Sequence, residues 1–216
     1  MKFAALIFTM FLAAVSAAGQ VVSTQRKLID NDERSRIESA AAEKSRTLSR
    51  RSHELRETFV NGVIAKTVEI IHEGTFDGKQ RSSTKTSEEG YTDEKEIIII
   101  GDTLYYRDIN NAWKRSEEKV VWQLSQGKLS RPSSGSQYSI ETVVLKGRKM
   151  QMLDIFLVNQ EDAELNYEHR QVWMGEDGLT YKIERTKGKL APKTVTYRSV
   201  ETYEYDPSIK VEAPMK

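Results

Sequence analysis

Three histidines, His53, His72 and His169, and a scatter of carboxylates are the side chains of this 216-residue sequence that could hold a metal or move a proton. Metal ligation needs close spacing, as in H-E-x-x-H, where two imidazoles share one helix face. These three lie far apart, with no cysteine to join them and no carboxylate at ligand spacing, so no metal site is expected. Asp93-Glu94 and Glu161-Asp162 are adjacent carboxylates of the kind acid–base catalysis uses, but both fall in polar connections, where capping and solvation occupy them. No G-x-S-x-G elbow, phosphate-binding loop, dinucleotide fingerprint or EF-hand loop occurs. No catalytic residue and no cofactor is assigned, and a hydrolase with a dispersed Ser, His and carboxylate site is the weakest functional reading. Arg46, Arg50, Arg51 and Arg56 could contact phosphate, yet Glu43, Glu54 and Glu57 alternate with them and no aromatic intervenes before Phe59. That pattern reads as a solvated helix face, and no nucleic-acid partner is expected.

The stronger signal is apolar. Residues 95 to 115, KEIIIIGDTLYYRDINNAWKR, run four isoleucines, Ile97 to Ile100, into a Gly101-Asp102 break and an aromatic strand. Successive strand side chains point to opposite faces, so this hairpin's first strand is expected to need apolar cover on both. Residues 150 to 158, MQMLDIFLV, repeat the pattern, with Met150, Met152, Phe156 and Val158 on one face and Leu153, Ile155 and Leu157 on the other. A closed sandwich covers both faces with protein, whereas a curved sheet could cover one with a bound acyl chain. Each buried methylene contributes about 0.8 kcal/mol, so eight would contribute roughly 6 kcal/mol before ordering costs. The candidate apolar lining is Ile98, Ile100, Tyr105, Val121, Leu124, Met152, Phe156 and Trp173.

The elements that must position these residues follow from pattern and turn chemistry. Residues 1–18 place Lys2 before an apolar run and small residues, which reads as a secretory signal peptide too short to span a membrane. Residues 19–50 form a charged, partly helical segment in which Ile37, Ala40, Ala41, Lys44 and Leu48 fall near helical spacing. Residues 51–216 are expected to be the sheet domain, beginning with a hairpin across Asn61-Gly62, a favoured type I′ turn pair. Further strands are predicted at 80–86, 95–100, 103–107, 138–146, 149–159, 164–174, 180–185 and 194–205, joined by short breaks into an antiparallel meander. One more helix is predicted from Ser116 to Gly127, carrying Val120, Val121 and Leu124, with a Ser, Gly and Pro loop after it. Lys and Arg number 33 against 32 Asp and Glu, and Lys2 leaves with the leader, so no electrostatic steering to nucleic acid or an anionic membrane is expected. With no cysteine there is neither a disulfide framework nor a lipid-anchor thiol.

EIIIIGDTLYYRDINNAWKR and the ending YEYDPSIKVEAP resemble, respectively, the strand, Gly-Asp turn, Tyr strand and Trp-Lys segment and the terminal strand and tail of the LolA-like family of exported lipoprotein and lipid carriers. The resemblance implies an α+β fold: a strongly curved antiparallel half-barrel with a few helices covering its concave side. It further implies a cavity for the acyl chain of a lipid or lipoprotein, and an envelope membrane protein as a docking partner. The family's ligand-gating arginine does not align onto any one of Arg46, Arg50, Arg51 or Arg56. The expected function is a periplasmic or secreted, non-enzymatic, monomeric lipid carrier. The alternative is an envelope sensor or protein-interaction domain of the same fold.

Overall fold

The computed structural model describes residues 26–117, 135–145, 147–161 and 164–214. The expected signal peptide and the body of the helix predicted from Ser116, with Val121 and Leu124, lie outside them. The chain begins with a two-residue strand β1 (Lys27–Leu28) and a helix α1 (Asn31–Arg46). Eleven strands follow: β2 (Arg50–Val60), β3 (Val63–Gly74), β4 (Gln80–Glu88), β5 (Tyr91–Ile100), β6 (Thr103–Arg107), β7 (Trp113–Arg115), β8 (Gln137–Leu145), β9 (Arg148–Glu161), β10 (Glu164–Gly175), β11 (Thr180–Leu190) and β12 (Lys193–Tyr205). All twelve pair antiparallel in one open sheet, ordered β1-β8-β9-β10-β11-β12-β2-β3-β4-β5-β6-β7. The antiparallel meander is therefore observed, interrupted where β12 returns to pair with β2.

Local chemistry sets the element ends. Asp30 caps α1, its carboxylate accepting from the Glu33 amide at 2.7 Å. Asp32 and Glu33 sit in the positive first turn and Lys44 and Arg46 in the negative last one, the arrangement the helix dipole favours. The β2–β3 turn places Asn61 at φ 52° and Gly62 at φ 78°, the left-handed pair the type I′ turn requires. Between β6 and β7, Asp108 accepts from the amides of Asn110 and Ala112, which tightens the reversal enough for Trp113–Arg115 to pair. That three-residue strand was not among the predicted ones. Arg46 ends the helix, whereas Arg50, Arg51 and Arg56 stand on β2 with Arg51 on one face and the other two on the opposite face. The expected helical arginine face is thus corrected: Thr47 closes the helix, its amide reaching the Lys44 and Ser45 carbonyls, before the cluster continues.

Two apolar clusters lie on opposite sides of β8–β11. On one side, Ile37 and Ala41 of α1 pack on Leu153, Ile155, Val172 and Met174. On the other, Val143, Met150, Met152 and Trp173 pack together. Strand β9 is consequently buried on both faces, as its composition predicts, with Leu153 and Ile155 almost fully enclosed. The isoleucine strand behaves differently. Ile98 is buried between Arg81 and Tyr105 in register, but Ile97 remains 37% exposed beside Tyr106. The expectation of cover on both faces does not hold for Ile97, because α1 reaches only the β8–β12 half of the sheet, and Ile98 is shielded by neighbouring long side chains instead.

Candidate functional site

Registered pairing fixes which residues share a side. Counting from Met152 through Trp173, Lys182, Thr202 and His53, and from Arg51 through Glu73 and Arg81 to Ile98, places one continuous face away from α1. The six described candidate lining residues, Ile98, Ile100, Tyr105, Met152, Phe156 and Trp173, all stand on this far side. They form two groups. Met152 pairs with Trp173, and Phe156 stacks on Tyr167 at 5.9 Å between ring centres. Ile98 pairs with Tyr105, and β11, β12, β2, β3 and β4 separate this group from the first.

The far side between those groups is ionic rather than apolar. Glu204, Arg51, Glu73, Arg81, Glu96 and Arg107 run across six strands as alternating charges, with Arg51–Glu73 at 2.6 Å, Arg81–Glu96 at 2.5 Å and Arg107–Glu96 at 2.7 Å. Arg107 then lies 4.6 Å over the Trp113 ring, ending the ribbon at the β7 edge. Burial pushes the Glu96 carboxyl up, but hydrogen bonds from Arg107 and Arg81 outweigh it and hold the group below the ordinary carboxylate value.

The cleft on the α1 side has a different character. A cavity of about 390 Å³ lies between the helix and strands β10–β12, within the range of ligand pockets of about 300–1,000 Å³. Ala41, Val172, Met174 and Ile183 make its apolar wall. Glu38 accepts short ion-pair contacts from Arg34 and from Arg170, which ties α1 to β10. Burial lowers the pKa of the Arg170 guanidinium, against the opposing charge of Glu38. Tyr205 donates to the Thr180 carbonyl at 2.8 Å and lies 3.1 Å from the Ser45 hydroxyl, while burial raises both the Tyr203 and Tyr205 phenols, so both stay neutral. Arg46 and Arg50 stand at the mouth, where Arg46 is exposed and Arg50 half-buried.

Sequence reading located α1 and its Ile37 and Ala41 stripe but did not select this cleft. The available signal was the Val172, Met174 alternation and the terminal tyrosines, which become a site only when β12 returns beside β2. Ser139, Asp154 and His169 also converge, on the far side of β8–β10. His169 Nε2 lies 3.1 Å from Asp154, whereas the buried Ser139 hydroxyl accepts from Arg26 Nε at 2.7 Å. Burial pushes Asp154 up, but His169, Gln171 and Arg26 outweigh it and hold the carboxyl below its ordinary value. No hydrogen bond joins Ser139 to His169, so this group has the geometry of a structural network around one carboxylate. Among the described residues, no three metal-ligating side chains converge. No family model matches the chain, and no curated protein matches it.

Proposed function

We propose that the protein is an exported, non-enzymatic carrier that takes the acyl chain of a lipid or lipoprotein into the cleft between α1 and β10–β12. In this reading the open antiparallel sheet serves as a LolA-like half-barrel, and the leader sequence directs the chain to a periplasm or another secretory space. The carrying observation is that α1 crosses one face of the sheet yet leaves about 390 Å³ beside an apolar wall. Val172, Met174 and Ile183 give that space an apolar wall, and its volume is enough to seat an acyl chain. A second support is that the cleft opens to solvent along Ala42 and Arg46, which gives an acyl chain a route of entry.

The test is native mass spectrometry on protein purified without detergent from its natural compartment, alone and after addition of phospholipid. A bound lipid or acylated peptide is expected. Ala42→Trp places an indole at the cleft mouth on an exposed helix position and is expected to abolish uptake while leaving the far-ultraviolet spectrum unchanged. A protein that stays empty and refuses added lipid would remove the carrier reading.

A further inference from the structure

The cleft's charge is lopsided. Three guanidinium groups, Arg46, Arg50 and Arg170, line it against a single carboxylate, Glu38, which is already engaged by Arg170 and by Arg34. Among the described residues neither Arg46 nor Arg50 has a carboxylate partner, although most of the arginines on the far side are paired. Both stand at the mouth, beyond the apolar wall of Val172, Met174 and Ile183. An arginine donates in a planar fork that matches carboxylate and phosphate oxygens. Resting on the carrier reading, we propose that the ligand is a single-chain anionic amphiphile, its chain along the apolar wall and its carboxylate or phosphate monoester held by Arg46 and Arg50.

The neighbourhood fits this polarity. Tyr203 and Tyr205 stay neutral beside Arg50, their hydroxyls committed to Glu201 and to the Thr180 carbonyl, so the phenols themselves add no negative charge to the mouth. A neutral ester head would leave the two guanidinium groups without a counter-charge and forgo the stronger class of hydrogen bond.

Binding of dodecanoate, methyl dodecanoate and dodecyl phosphate to the full-length protein is compared by calorimetric titration, for wild type and for R46Q/R50Q. At least tenfold tighter binding of an anion than of the methyl ester is expected, with the preference lost in the double variant and only partly restored in R46K/R50K, which keeps the charge but not the planar fork. Preference for dodecanoate over dodecyl phosphate, or the reverse, distinguishes a fatty acid from a phosphorylated lipid as the source. Equal affinity for all three in wild type, or a preference that survives in R46Q/R50Q, would overturn the head-group assignment while leaving the carrier reading intact. Binding of none of the three would remove both.

Discussion

Asp154 is the residue whose surroundings make the sharpest single-site statement. It is mostly buried and accepts from His169 and from Gln171 at 3.1 Å, with Arg26 at 3.5 Å. Its folded-state pKa lies below the ordinary value of 3.8, so its contribution to stability is present above that value and is lost as pH falls through the lower folded value. Asp154→Asn removes the charge while keeping the shape, and is expected to cost about 1–3 kcal/mol in urea unfolding at neutral pH. It should also flatten the acid limb of the stability curve below pH 3.8, and an unchanged limb would show that other carboxylates govern it. Two paired glutamates of β5, one inside the ionic ribbon and one outside it, allow a contrast. Glu96 is largely covered and serves two arginines, so Glu96→Gln should destabilise by about 1–3 kcal/mol. The Lys85–Glu94 pair is solvent-exposed on both sides, so Glu94→Gln should change stability by less than about 0.5 kcal/mol. Equal effects of the two substitutions would mean that burial does not control the worth of these pairs.

At the scale of elements, α1 is held less by its own sequence than by what it meets. Only Ala41 and Ser45 of the helix are buried, and Ala41 rests on the Leu153, Ile155, Val172 and Met174 cluster. Leu153→Ala should therefore cost about 2–5 kcal/mol in equilibrium unfolding. The β11–β12 hairpin has a separate requirement at Gly188, beside a break in register, where an added Cβ would stand 1.8 Å from the Thr194 carbonyl oxygen. No rotamer relieves a clash with backbone, so Gly188→Ala should lower the melting temperature markedly, whereas an alanine at Gly74 meets only the His72 ring at 3.8 Å. The strands themselves were legible from alternation and turn pairs, since both are local. Trp113–Arg115 was missed because three residues carry no periodicity, and its pairing depends on the Asp108 turn. The isoleucine run was legible as a strand but not for its burial. Four apolar residues report what a face could bury, while cover is supplied by elements distant in sequence. The same limit hid the cleft: Ala41, Val172, Ile183 and Tyr205 come together only through pairings between strands far apart along the chain.

The whole molecule is one open sheet whose two halves are finished differently. Strands β8–β11 are packed on both sides by apolar clusters, whereas β2–β6 carry the ionic ribbon and leave Leu55, Ile71 and Ile97 partly exposed. A ligand in the α1 cleft would touch the helix, β10, β11 and β12 at once, and would therefore act on the cooperative unit instead of on one loop. Linkage gives the size of that effect. Ligand at a hundred times its dissociation constant adds about 2.7 kcal/mol, which for a sheet of this length raises the melting temperature by roughly 5–10 °C. The gain should grow with the logarithm of free ligand and vanish in Ala42→Trp, where the cleft mouth is filled. A distant substitution separates stability from binding. Ile97→Asp, on a partly exposed position of β5, should leave both the melting temperature and the ligand-induced shift nearly unchanged. Ile98→Asp, at a buried position, should lower the first by desolvating a charge. If Ile97→Asp instead abolishes the ligand-induced shift while the unliganded melting temperature stays put, the acyl chain lies along β5 and β6, and the ligand site moves from the helix-covered half of the sheet to the other.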